Sequence, residues 1–195
     1  MKYKKVRLLN VDVDDVTMSE LLGTLNSGMF LTLHVDMIMK LQKDREFYSI
    51  LPEFDLITCD SQILYFASKI LGTPLRERVS GSDYFPLFCD LHKDNADVTV
   101  FLCGGQPGVA EIAMENINRR VGRKMIVGTY SPPFDYDTSI EEQDKMIEQI
   151  NSSKATVLLV GLGGGRQEKF IVKHRNRFKD ISLFLPLGGT IDYEA

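Results

Sequence analysis

Three almost wholly apolar runs, VTVFLC (98–103), ATVLLV (155–160) and ISLFLPL (181–187), stand between longer amphipathic stretches. A strand with one wet face alternates apolar and polar side chains, whereas an unbroken apolar run must be covered on both faces. Short strands of this kind separated by helices predict an α/β fold: a Rossmann-like, doubly wound, mostly parallel sheet with helices on both faces. In such sheets the ligand lies beyond the carboxyl ends of the strands. The turns to interrogate are therefore 32–36, 60–62, 104–108, 129–137, 161–167 and 188–192.

The rest of the chain fits this alternation. VRLLNV (6–11) reads as a strand, and Thr17 with Glu20 forms a capping box that opens a helix stopping near Gly28. MFLTLHV (29–35) is a strand, 36–51 a helix ended by Pro52, DLITC (55–59) a strand, and 61–71 a helix closed by Gly72. A loop over 73–81 precedes a short helix from Ser82. Beyond VTVFLC come a glycine turn, a helix over 109–121 ended by Gly122, and the strand KMIVG (124–128). The loop 129–138 leads to a second capping box, Ser139 with Glu142, and a helix to about Asn151. A basic helix over 166–179 follows the run at 155–160. With no linker, repeat or low-complexity segment, 1–195 reads as a single domain.

Composition narrows the classes. A chain of 195 residues buries roughly 70% of its unfolded surface, so it needs no disulfides or metal to hold a core. With 44% hydrophobic residues it is neither disordered nor fibrous, and 23 basic against 27 acidic side chains leave no nucleic-acid footprint. Cys59, Cys89 and Cys103 are odd in number and form no CxxC, which suits a reducing cytosol. No stretch approaches 18 apolar residues, and the amino-terminal residues do not read as a secretory signal.

Several motifs carry two readings each. In FLCGGQPGVAE, Gly104 and Gly105 either let backbone N–H groups approach an anion or simply make a tight strand-to-helix turn. VLLVGLGGGRQEKF tempts a dinucleotide assignment, but GxGxxG would need glycine where Arg166 stands, and Asp180 precedes its strand instead of ending it. The fingerprint is rejected; Arg166 is left as a phosphate partner or a solvated arginine. Asp60 follows an apolar strand and precedes an apolar helix, so it is a general base at the ligand edge or a helix N-cap. Asp192, after Gly188 and Gly189, has the same ambiguity. Asp12, Asp14 and Asp15 read as a solvated turn rather than a metal-binding DxD, and Met37, Ile38 and Leu41 as core.

At these same turns the sequence resembles the WecG/TagA/CpsF glycosyltransferases, glycosyltransferase family 26, over almost all of its length. The resemblance rests on Thr32 with QKDREF (42–47), Asp60 with FASKILGTPLRERVSGSD (66–83), FLCGGQPGVAE (101–111), VGTYSPPF (127–134), VLLVGLGGGRQEKF (157–170) and LGGTID (187–192). PLRERVSGSD and GRQEKF are its most diagnostic pieces.

The resemblance implies an inverting, metal-independent enzyme without other cofactor. Such an enzyme moves an N-acetylmannosamine-type sugar from a UDP-sugar to a polyprenyl-diphosphate-linked acceptor in cell-surface polysaccharide synthesis. It implies Asp60 as the catalytic carboxylate, Thr32 and Gln167 as polar residues of the same pocket, Gly104, Gly105, Gly188 and Gly189 as glycine turns near the nucleotide, and Asp192 as the acid for the ribose. Arg78 or Arg166 would assist electrostatically. His34 stands where the family often has asparagine, and Pro133 where it often has tyrosine. The resemblance further implies a basic, amphipathic segment beyond Ala195 that binds the membrane surface, giving a cytoplasmic protein peripheral to the inner face of a bacterial membrane, and it leaves a homo-oligomer open. Two other readings compete: a non-catalytic nucleotide-binding module and a Rossmann-type nucleotide-cofactor enzyme.

Overall fold

The computed structural model describes residues 3–195. Among these, six strands form one parallel sheet: β3 (Gly28–Leu33), β4 (Leu56–Cys59), β5 (Val100–Gly104), β6 (Ile126–Tyr130), β7 (Val157–Gly161) and β8 (Leu183–Pro186), in the order β4-β3-β8-β7-β5-β6. All five pairings are parallel. The expected doubly wound architecture is present.

Helices cover both faces because the chain steps both ways across the sheet. Steps from β3 to β4, β6 to β7 and β7 to β8 run in one direction. Their helices, α2 (Val35–Leu41), α7 (Ile140–Ser153) and α8 (Arg166–His174), share one core through Met37, Ile38, Met146, Ile150, Phe170 and Ile171. Steps from β4 to β5 and β5 to β6 run the other way. Their helices, α5 (Gly81–Leu91) and α6 (Val109–Val121), share the opposite core with α1 (Met18–Thr24) and α9 (Thr190–Glu194), through Leu21, Phe85, Phe88, Ala113, Ile117 and Ile191. A single hand of crossover requires this division. The central strand residues Leu102, Leu158, Leu159 and Leu185 are wholly buried, each contributing about 1.5–3 kcal/mol of apolar transfer.

Four local readings need correction. The expected first strand is a hairpin, β1 (Lys5–Leu8) and β2 (Val11–Asp14), turning at Leu9 with φ 53°. Its acidic end is not a solvated turn: Asp14 and Asp15 are buried. Asp14 Oδ2 accepts the Ile57 N–H at 2.9 Å and Oδ1 pairs with Lys5 at 2.6 Å. Since β4 is an edge strand, Asp14 takes up a backbone donor that has no neighbouring strand. Asp15 accepts the Arg76 N–H at 2.8 Å.

The expected helix 36–51 is two helices, α2 and α3 (Arg45–Ser49), because the Asp44 side chain caps a new helix by accepting the Phe47 N–H. The Thr17–Glu20 capping box forms, whereas at Ser139 only half does: its hydroxyl accepts the Glu142 N–H, while the Glu142 carboxylate takes the Tyr130 hydroxyl. The segment after Gly189 forms α9 and buries Ile191.

Candidate active site

β3 and β8 pair only at their beginnings, Gly28 with Leu183 and Met29 with Phe184. Beyond that their carboxyl ends part, and the next elements leave on opposite faces: α2 after β3, α9 after β8. This is the switch point at which an open α/β sheet makes a crevice. A cleft of about 190 Å³ lies there, lined by Thr32, His34, Met37, Asp60, Ser82, Gly164, Gln167, Thr190, Tyr193 and residues 186–189. Sites enclosing a whole drug-sized ligand typically run to about 300–1,000 Å³. This one is smaller than that range.

Asp60 directly follows β4 and faces this cleft. The cap of α4 (Gln62–Ile70) is the neighbouring Ser61, whose hydroxyl accepts the Leu64 N–H, so the N-cap reading of Asp60 is removed. The Asp60 carboxylate accepts from Arg78 Nη1 on Oδ1 and from the Gly81 N–H on Oδ2, both at 3.3 Å. Burial pushes its carboxyl above the ordinary range, against the opposing pull of the Gly81 N–H and Arg78. Both contacts are long, which leaves the carboxylate available as a proton acceptor. Arg78 is itself fixed by Asp83 Oδ2 at 2.8 Å and by the Asp60 carbonyl at 3.1 Å. Ser80 caps α5 and donates to the same Asp83 oxygen at 2.6 Å.

The structure thus gathers Thr32, Asp60, Gln167, Gly188 and Gly189 around one cleft, with Arg78 bound to Asp60. Gly104 and Gly105 answer to a different constraint. A Cβ on Gly104 would lie 2.2 Å from the Gly161 carbonyl oxygen, and one on Gly161 would lie 2.6 Å from that of Gly188. Three adjacent strand ends therefore touch backbone to backbone. The Gly105 N–H is spent on the Gly161 carbonyl at 3.3 Å, so the tight-turn reading accounts for this pair.

Arg166 is absent from the lining of the cleft. Its guanidinium binds both Asp137 oxygens, at 2.7 and 2.8 Å, donates to the Phe134 carbonyl and stacks on the Phe134 and Tyr136 rings. It anchors the loop after β6 to the start of α8. Asp192 is exposed in the first turn of α9, beside Gly189.

Sequence reasoning missed Ser82, Tyr193 and above all Glu168. Glu168 is completely buried, accepts the Gly165 N–H through Oε2 and takes the Gln167 amide on Oε1 at 2.9 Å. Gly165 and Glu168 have the spacing of a capping box, but glycine lacks the side chain by which that pattern is recognised. Among the described residues no cluster of three or more His, Cys, Asp or Glu is placed to hold a metal ion, and no helix is long and apolar enough to cross a membrane.

The sequence profile of the glycosyl transferase WecG/TagA/CpsF family matches residues 6–195. An N-acetylglucosaminyldiphosphoundecaprenol N-acetyl-beta-D-mannosaminyltransferase of Bacillus spizizenii is 28% identical over 168 residues, which cover 86% of this chain and 62% of the relative. A Staphylococcus aureus protein of the same name is 22% identical over 200 residues, covering 98% of this chain and 76% of the relative. The chain thus spans less than two thirds of the length of the first relative.

Proposed function

The chain belongs to the WecG/TagA/CpsF glycosyltransferase family, and from that premise we propose that it transfers an N-acetylmannosamine-type sugar from a UDP-sugar to a polyprenyl-diphosphate-linked acceptor. The names of the relatives given above describe transfer of an N-acetyl-beta-D-mannosaminyl group onto N-acetylglucosaminyldiphosphoundecaprenol, which supports the sugar and acceptor of this reading. The observation that carries the reading is Asp60: a partly desolvated carboxylate at a strand end, not the cap of the helix that follows it, in a crevice opened by the parting of two strands.

In this mechanism the acceptor hydroxyl enters beside Asp60 and attacks the anomeric carbon from the face opposite the diphosphate. The bond to the diphosphate oxygen breaks, UDP leaves with the electron pair, and Asp60 takes the hydroxyl proton. Burial raises the basicity of Asp60 and so favours that transfer. Attack from the opposite face inverts the anomeric centre. Arg78 holds the carboxylate in register beside the incoming hydroxyl. No step of this proposed reaction uses a metal ion. A polyprenyl acceptor places the enzyme at a membrane surface.

The test is a panel of UDP-sugars offered with an N-acetylglucosaminyl-diphosphopolyprenol acceptor, with product scored by mass, in buffer with and without EDTA. One N-acetylated hexose should be added, and EDTA should not reduce the yield. No product with any donor counts against the transferase reading. Loss with chelator, restored by Mg²⁺ or Mn²⁺, counts against the metal-free step.

A further inference from the structure

Gln167 and Glu168, the second and third residues of α8, are 2% and 0% exposed. Gln167 Oε1 accepts the Leu162 N–H at 3.0 Å, and its Nε2 donates to Glu168 Oε1 at 2.9 Å. The other Glu168 oxygen accepts the Gly165 N–H. A carboxamide has one accepting end and one donating end. The Leu162 N–H can be met only by the oxygen, and an ionised carboxylate only by the NH₂. Both partners therefore impose the same orientation, and the side chain cannot flip without placing donor against donor and acceptor against acceptor.

Nε2 carries two hydrogens, and Glu168 takes one. Among the described residues the other has no protein acceptor, and Gln167 lines the cleft. Taking the cleft as the transferase site proposed above, we infer that Glu168 is a positioning residue: it locks the Gln167 carboxamide so that an N–H, not a carbonyl, faces the substrate. The substrate atom at that point is then an acceptor oxygen, of the diphosphate or of an acetamido carbonyl.

Burial pushes the Glu168 carboxyl up to about 7, while the Gln167 and Gly165 donors pull the other way. The carboxylate and the carboxamide thus depend on each other. A glutamine at position 168 keeps the shape but turns one of the two acceptors into a donor. It must then face either the Gly165 N–H or the Gln167 NH₂.

The experiment combines NMR of the Gln167 side chain with a double-mutant cycle on transfer. The carboxamide signal is assigned by its loss in Gln167→Ala. In the wild type its two protons should lie away from the values of a free glutamine, and UDP-N-acetylmannosamine should move one of them. In Glu168→Gln the pair should move towards the values of a free glutamine while the backbone spectrum persists. The accompanying fall in kcat/KM should be about 10²-fold, typical of a misplaced contact. Adding Glu168→Gln to Gln167→Ala should cost nothing further.

An unmoved Gln167 pair in a folded Glu168→Gln protein, or losses that simply multiply, would overturn the assignment. A second measurement needs no variant. In the wild type the Gln167 amide protons and the Glu168 carboxyl carbon should titrate with one midpoint, and separate midpoints would reject the clamp. A protein that transfers no sugar defeats the transferase reading while both NMR measurements still decide the clamp.

Discussion

Arg78 spans two carboxylates, reaching Asp60 Oδ1 at 3.3 Å with Nη1 and Asp83 Oδ2 at 2.8 Å with Nη2. Its side chain is 32% exposed and that of Asp60 28%. The shorter contact lies with Asp83, which Ser80 also holds. Arg78 is therefore anchored by Asp83 and only touches Asp60, which keeps the latter oriented and still basic.

Replacing Asp60 by Asn keeps its size and removes the proton acceptor. Transfer should fall by about 10²–10⁴-fold, the usual contribution of a general base, while UDP affinity stays near that of the wild type. Steady-state kinetics with calorimetric UDP titration measures both. Wild-type turnover would remove Asp60 from the chemistry.

A general base must be ionised to act, so the proposed role of Asp60 predicts a pH dependence. Desolvation raises the Asp60 carboxyl and Arg78 opposes that rise, so the acid limb of kcat/KM should lie above the ordinary carboxylate range. Arg78→Met should move that limb to still higher pH. A limb that stays in place or moves down would show that Arg78 does not tune Asp60.

The resemblance that assigns the nucleotide's ribose to Asp192 makes a binding prediction. Asp192→Ala should weaken UDP by about 1.5–3 kcal/mol, a charged hydrogen bond, or roughly 10- to 150-fold. Asp192 is exposed on α9, so its truncation should leave the fold intact. Unchanged UDP affinity in the folded variant would move the nucleotide away from the turn at 188–192.

Gly104 and Gly163 separate crowding from backbone strain. Both have positive φ, 129° and 92°, but a Cβ on Gly104 meets the Gly161 carbonyl whereas one on Gly163 meets nothing within 4 Å. Gly163→Ala should cost about 1–2 kcal/mol from strain alone. Gly104→Ala should cost distinctly more, because the ends of β5 and β7 must move apart as well. Urea denaturation of the two variants compares them, and equal losses would contradict the close approach.

Glu168 adds a pH-dependent term to stability. Its folded-state carboxyl lies at about 7 against an ordinary 4.5, so between these values the folded protein binds the extra proton. The contribution is present in full below about 4.5, declines as pH rises to about 7 and is constant above that. The total change is on the order of 3 kcal/mol. The stability difference between wild type and Glu168→Gln should follow this curve, and a difference independent of pH across the window would contradict it.

The sheet was legible in the sequence because unbroken runs such as 155–160 have one stable solution, burial on both faces, and the helix 109–121 was bounded by its own Gly122. The same logic located the strand-end turns, and the resemblance pointed to Thr32, Asp60 and Gln167 among their residues. Of the two readings the sequence left open at Asp60, base or cap, the neighbour removes the second: Ser61 caps the helix and leaves the carboxylate facing the cleft. Two adjacent residues of α8 could not be told apart from the sequence. Successive positions on a helix point about 100° apart, so Gln167 reaches the cleft while Arg166 turns to Asp137, which is 29 residues away. The roles of Gly104 and Gly161 likewise depend on strands that are distant in sequence meeting backbone to backbone. Hydrophobic pattern and capping are local and can be read along the chain. Which carboxylate is desolvated, and which glycine is crowded, depends on neighbours that only the folded chain brings together.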